Sequence, residues 1–311
     1  MHLGSPMVGM MSTGNLGFVA MGYSTTVGAF SFDGITWQQT TMPFGTWVDS
    51  AWNGYIWVAI NANGSNNTYA YSYDGIIWQQ GTLPVSGQWQ GIVWMGNKFV
   101  IVGNSTYALF SVDGINWNTT SIPSIITGYR AIVYDGTVAV AFSAGSIEST
   151  AYSYNGITWV SGNPTVTAGL IQKAAWNGTN LVAVDINDAN YIDISSGGIP
   201  SWSVINFGGN GGVGLADIIW NQTVFIILSE VGTTVFTSAD GNSWTRISPA
   251  YNVGTGDGNS MAWNGKVICA ISSTNKVVIS INNGTTWTQN NLPVTQSWRC
   301  IKASYLNFIT Y

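Results

Sequence analysis

One seven-residue unit recurs along this chain, and its spacing leaves few folds open. Ser31-Phe-Asp-Gly-Ile-Thr-Trp37, Ser72-Tyr-Asp-Gly-Ile-Ile-Trp78, Ser111-Val-Asp-Gly-Ile-Asn-Trp117 and Ser153-Tyr-Asn-Gly-Ile-Thr-Trp159 are the first four copies. A degenerate copy covers 195–202 and ends at Ser201-Trp202. Ser238-Ala-Asp-Gly-Asn-Ser-Trp244 and Ser280-Ile-Asn-Asn-Gly-Thr-Thr-Trp287 complete the set. The closing tryptophans step by 41, 39, 42, 43, 42 and 43 residues. A fixed period of that size marks a repeat architecture, in which each repeat is one supersecondary unit.

A second motif interleaves with the first: Ala51-Trp-Asn-Gly54, Val93-Trp-Met-Gly96, Val133-Tyr-Asp-Gly136, Ala175-Trp-Asn-Gly178, Ile219-Trp-Asn-Gln222 and Ala262-Trp-Asn-Gly265. Each precedes a short apolar run such as Phe99-Val-Ile-Val102. Asn-Gly and Asp-Gly supply the positive φ angles that tight hairpin turns require. Each repeat therefore reads as two hairpins in series, with the strands of the second repeat near Val48–Trp52, Ile56–Ile60, Tyr69–Ser72 and Ile77–Gln80. Leu83-Pro84, like Met42-Pro43, Ile122-Pro123 and Leu292-Pro293, ends the repeat, because proline stops a strand and presets a turn. No segment has sustained helical periodicity. The expectation is one all-β domain over residues 1–311, a seven-bladed β-propeller of four-stranded antiparallel blades. Ring closure by pairing of N- and C-terminal strands would leave no open sheet edge at the seam. Closure has two candidates at each end. Met7–Met11 and Gly17–Met21 match a first and second strand, and so do Trp298–Ala303 and Asn307–Tyr311. The C-terminal strand is expected to complete the first blade, with one N-terminal segment displaced.

Composition narrows what such a ring can do. Only 7% of the 311 residues are charged, yet there are 16 Trp, 14 Tyr and 11 Phe, so the chain is neither disordered nor a membrane span. A net charge of −5 with no basic patch argues against nucleic acid as a partner. Met1–Met11 has neither the basic start nor the apolar core of a secretory signal. One histidine, His2, and two cysteines, Cys269 and Cys300, make no zinc motif and no disulfide framework. No cofactor and no metal are expected.

The Ser-x-Asp-Gly-x-x-Trp unit resembles the Asp-box of bacterial neuraminidase-type repeats over nearly the whole chain. The usual Asp-box has one more residue between Asp and Gly, a length kept here only by Ser280 to Trp287. Together with the Trp-Asn-Gly motif, the repeat is similar to propeller repeats of tailed-phage structural and fibre proteins. That resemblance implies a virion-surface or extracellular adhesion module that binds host cell-surface glycan or another virion protein, with a free multivalent lectin as the alternative. It also brings in the sialidase reaction, which needs an arginine triad, a Tyr–Glu nucleophile pair and an acidic proton donor. Arg130 and Arg299 precede first strands, but Arg246 falls on a fourth strand, and Glu148 and Glu230 lie in connections of different blades. A non-catalytic role is the expectation, with no membrane insertion and a homo-oligomer left open.

The tryptophans point to a binding face. Seven close the repeated unit, and five, Trp52, Trp94, Trp176, Trp220 and Trp263, fall in first strands; both sets read as core between blades. Trp47, Trp89 and Trp298, with Tyr129, share the position just before a first strand. Equivalent positions in a propeller share one face around the channel mouth. With Asp49, Gln90, Arg130 and Arg299 beside them, they form a candidate surface for stacking sugar rings or seating a protein. The alternative is that these rings plug the channel or pack against loops.

Overall fold

The computed structural model describes residues 17–64, 67–124, 127–143, 150–163, 170–185, 191–196, 201–206, 214–230, 234–247 and 260–304. Each repeat folds into two hairpins in series, and these form one four-stranded antiparallel sheet. Seven such blades make the ring of a β-propeller. In blade 2 the first to fourth strands are Trp47–Trp52, Trp57–Asn61, Thr68–Ser72 and Gln79–Thr82. The first strands of blades 3 to 7 are Gln88–Trp94, Tyr129–Tyr134, Ile171–Trp176, Leu215–Trp220 and Ser260–Trp263. Blade 1 takes Phe18–Gly22, Thr25–Ser31 and Gln38–Gly45 as its second to fourth strands, and its first strand is Trp298–Ala303 from the far end of the chain.

The seam is antiparallel, with Phe18 opposite Ala303 and Met21 opposite Cys300. It is extended by the Ser304 amide donating to the Gly17 carbonyl at 2.9 Å. The C-terminal strand thus completes blade 1, as the repeat count requires. Met7–Met11 and Asn307–Tyr311, the competing segments, lie outside the described residues.

Two sets of turns explain why the repeated residues recur. Between first and second strands, the Asn53 carboxamide oxygen accepts the Tyr55 and Ile56 amides at 2.9 and 2.8 Å. Asp135, Asn177, Asn221 and Asn264 hold the same turn in blades 4 to 7. Between third and fourth strands, Asp33 Oδ1 accepts the Ile35 and Thr36 amides at 2.8 and 2.7 Å, Ser31 Oγ accepts the Gly34 amide, and the Trp37 indole donates to the Gly34 carbonyl. Asp74, Asp113, Asn155 and Asp240 repeat the carboxylate or carboxamide role. The seventh copy absorbs its extra residue by placing Asn283 at φ 58° beside Gly284 at φ 79°. Both sets of turns lie on the face where first strands end, here the trailing face; first strands begin on the leading face.

The core is divided rather than central. Seven apolar clusters fill the seven gaps between neighbouring blades; one of them joins Val19, Phe30 and Met42 of blade 1 to Trp47, Trp57 and Ala70 of blade 2. Outer turns also bond across the gaps: Asn180 Nδ2 donates to the Asp240 carbonyl, Lys98 Nζ to the Asn155 carbonyl and Asn221 Nδ2 to Asn283 Oδ1. Both cysteines are buried free thiols. Among the described residues, no helix is long and apolar enough to cross a membrane.

Candidate functional site

The leading-face surface expected from the sequence is not open. Trp47, Trp89 and Trp298 are 0% exposed and Tyr129 is 1% exposed. In blades 1 to 6 the register between first and second strands shifts at one repeat position, as between Trp47 and Asp49 or between Tyr129 and Ala131. A bulge of this kind turns the strand and re-aims its side chains. The ring before it lies in the gap between blades, where Trp47 joins the core of blades 1 and 2 and Trp89 that of blades 2 and 3. The connecting loops cover the rest. Gly45 lies so close to Trp47 that a Cβ there would come within 2.7 Å of the ring. Trp298 Nε1 donates to the Val294 carbonyl and Tyr129 Oη to that of Pro123. Packing of these rings against loops, the alternative weighed above, is what burial supports. Gln90, Arg130 and Arg299 are bulge residues; Gln90 is half-buried and Arg130 exposed. Arg299 sits 5.3 Å over the Tyr23 ring.

Asp49 lies deeper, on the axis. It is 5% exposed, and its Oδ1 is 2.9 Å from Lys302 Nζ of blade 1 and 3.9 Å from Lys173 Nζ of blade 5, across the ring. Its Oδ2 accepts the Ile92 amide of blade 3 at 3.2 Å. Asp217 does the same one gap before the seam, accepting the Ile218 and Met261 amides at 2.8 and 2.7 Å. Ser260 Oγ continues the pattern to the Ile301 amide. A first strand is a sheet edge with unpaired amides, so these side chains satisfy donors that the ladder leaves open. Burial alone would raise the Asp49 carboxyl, but the two ammonium groups and the Ile92 amide outweigh it and hold it below its usual range. At Asp217 burial wins, and the carboxyl is raised despite the same lysines.

Above this ionic floor the axis opens to the trailing face as a well of about 540 Å³. Its rim is a collar of six aromatic side chains, Trp52, Trp94, Tyr134, Trp176, Trp220 and Trp263, one from each of blades 2 to 7. In blade 1 the equivalent residue is Ala303. The five tryptophans expected between blades do pack against the inter-blade clusters, and, half-buried, they also line this opening. They end first strands, where the blades splay from the axis and the next residue begins a turn. Below the collar the wall is aliphatic, including Ile92, Val133, Ala175 and Met261, and the charged lining residues are Asp135 and, near the base, Lys302. An aromatic collar over an aliphatic wall, with polar groups among them, can take the apolar face of a ligand. One sequence signal pointed to the floor: Asp49, Lys173 and Asp217 share a repeat position whose other members are Gly91, Ala131, Ser260 and Cys300.

No family model matches the chain, and no curated protein does. Solved structures do share its fold. The chain is similar to YCF48 bound to D1 peptide, with TM-score 0.64 and 16% identity over 90% of this chain and 87% of that one. It is similar to a streptogramin B lyase, with TM-score 0.66 and 8% identity over 90% and 88%. It is also similar to the computationally designed Ika8 protein, with TM-score 0.62 and 10% identity over 95% and 98%. At these identities the likeness is one of fold alone.

Proposed function

We propose that this propeller is a non-catalytic binding module that holds a saccharide against the aromatic collar of its trailing-face well. The collar carries the reading: six aromatic side chains line one opening, and an aromatic face is an apolar surface on which the C–H side of a sugar ring stacks. The exposed Gln222 supplies a polar group at the same opening, and Lys302 one nearer the base. The sequence resemblance extends the reading to a tail fibre, tail tip or capsid decoration of a tailed phage, with the saccharide on the host surface. A binding role also suits the acidic residues. Asp33, Asp74, Asp113 and Asp240 are engaged with turn amides, and Asp49 and Asp217 with blade amides. A glycosidase carboxylate pair faces the scissile bond instead.

A glycan-array screen of the protein beside the double variant Trp94→Leu plus Trp220→Leu tests this. Leucine keeps apolar bulk but removes the stacking face. Binding by the parent is expected, with at least a tenfold loss in the variant at a temperature where circular dichroism shows both fully folded. A parent that binds no glycan overturns the reading. A second reading, a protein segment seated in the well, is favoured by the aliphatic wall. It also has a precedent in the peptide bound by YCF48. The same variant would then lose its protein partner rather than a sugar.

A further inference from the structure

Blade 2 differs from blades 3 to 7 on the trailing face. Its inner turn, directly after the collar residue Trp52, carries Tyr55, which is 71% exposed. The same position holds Asn97, Thr137, Thr179, Thr223 and Lys266 in blades 3 to 7. The Tyr55 ring stands 5.3 Å from that of Tyr73 at 66°, and Tyr73 is 6.2 Å from Tyr71 at 84°. Tyr73, on the outer turn, is 48% exposed. Three rings therefore bridge the inner and outer turns of one blade, beginning where the collar ends. Blade 4 has the outer pair alone, with Tyr152 and Tyr154 6.0 Å apart at 85° and Thr137 where Tyr55 would be.

We propose that this row of tyrosines is a secondary subsite, and that the ligand is an uncharged linear oligosaccharide lying from the axial well outward along blade 2. The inference rests on the saccharide reading of the collar. The chemistry of the row selects the ligand class. No Lys or Arg occurs between residues 47 and 82, so nothing there holds a phosphate or a carboxylate. An extended peptide would need backbone partners, yet the Tyr55 and Ile56 amides are taken by Asn53 and the Ile76 and Ile77 amides by Asp74. What the row offers is ring faces with side-chain polar atoms beside them, such as Tyr71 Oη, which donates to Gln79 Oε1 at 2.8 Å. Stacked pyranose rings use just those groups. Exposed apolar side chains are ordinarily scattered singly, whereas Tyr55 and Tyr73 are exposed in contact with one another and continue to the half-buried Tyr71 beside the well.

The test is a length series of the array's best-bound glycan, from disaccharide to hexasaccharide. It is measured calorimetrically on the parent, on Tyr55→Ala plus Tyr73→Ala, and on Tyr154→Ala as the exposed-ring control. The parent is expected to bind the longer chains about tenfold more tightly than the disaccharide, a gain of the size that aromatic stacking supplies. The double variant should lose that gain while keeping disaccharide affinity, and Tyr154→Ala should behave as the parent. A parent without length dependence, or a double variant that keeps it, overturns the subsite and leaves the collar standing. Loss of the gain in Tyr154→Ala as well overturns its placement on blade 2. A parent that binds no glycan overturns collar and subsite together, and tighter binding of acidic than neutral chains overturns the ligand class.

Discussion

The acid groups of this chain act mainly on its own backbone. At Asp113 burial pulls the carboxyl upward, but the Asn116 and Ile115 amides, the Asn116 side chain and Ser111 outweigh it and hold the group down to about 2. Asp33, Asp74 and Asp240 are lowered by equivalent turns. A carboxyl whose folded pKa is depressed contributes stability that is present above its ordinary value of 3.8 and is lost as pH falls through the folded value. Acid unfolding should therefore steepen between about pH 4 and pH 2, with each exposed turn worth less than about 1 kcal/mol after solvent screening. Asn155 already holds the blade 4 turn with a neutral carboxamide. Asp113→Asn should thus change stability at pH 7 by under about 0.5 kcal/mol and flatten the acid slope. Asp113→Ala, which loses the carboxylate oxygen that accepts both turn amides, should cost about 1–2 kcal/mol. Urea titrations across pH read both effects, and an Asn variant as damaging as Ala would show that charge, not the turn bond, matters.

Turns are the elements that set the ring's precision. Each inner turn ends a collar residue's strand and so fixes where its ring points. Gly178 sits there at φ 98°, with nothing within 4 Å of a Cβ built on it. Gly178→Ala should therefore cost only the backbone term, about 1–2 kcal/mol, without a steric clash. Gln222 occupies the same place in blade 6 at φ 68°, so the turn itself forms with a side chain present. A lowered melting temperature with unchanged near-UV circular dichroism is the expected result. A loss of near-UV signal would mean that the turn organises more of the collar than its own blade. The bulge at the start of the first strand is the matching element on the leading face. It places Trp47, Trp89 and Tyr129 between blades, and no composition argument distinguishes that from an open ring of aromatics.

At the scale of the whole molecule, blades are joined by apolar gaps, by the seam and by the axial charges. Asp49 belongs to blade 2 yet bonds the Ile92 amide of blade 3 and the lysines of blades 1 and 5. Removing it leaves a partly exposed ammonium and a buried amide without their acceptor; a fully buried pair broken in this way costs about 3–5 kcal/mol, and solvent at Lys302 brings the cost here to about 1–3 kcal/mol. Asp49→Ala should fall in that range by denaturant unfolding, whereas Asp49→Asn retains an acceptor for Ile92 and should cost less. A cost near zero for Asp49→Ala would mean that water takes over both bonds. Asp49 and Asp217 oppose one another in pH dependence. The lowered carboxyl of Asp49 stabilises the fold above its ordinary range, and the raised one of Asp217 weakens it as pH climbs through its folded value.

Repeat period, turn residues and strand alternation are local properties, so seven four-stranded blades and a C-terminal closing strand were legible in the sequence alone. The structural duty of Ser31 and Asp33 was legible for the same reason, since their partners lie within three residues. The direction in which a first-strand side chain points was not. It depends on a one-residue bulge and on how blades splay around the axis, and that geometry exists only when all seven are assembled. Hence Trp47 and Trp298, expected at an opening, are sealed between blades, while Trp52 and Trp220, which pack between blades as expected, also line the well. Lys173 and Asp49 are 124 positions apart in the sequence, and only ring closure sets their charges within 3.9 Å across the axis.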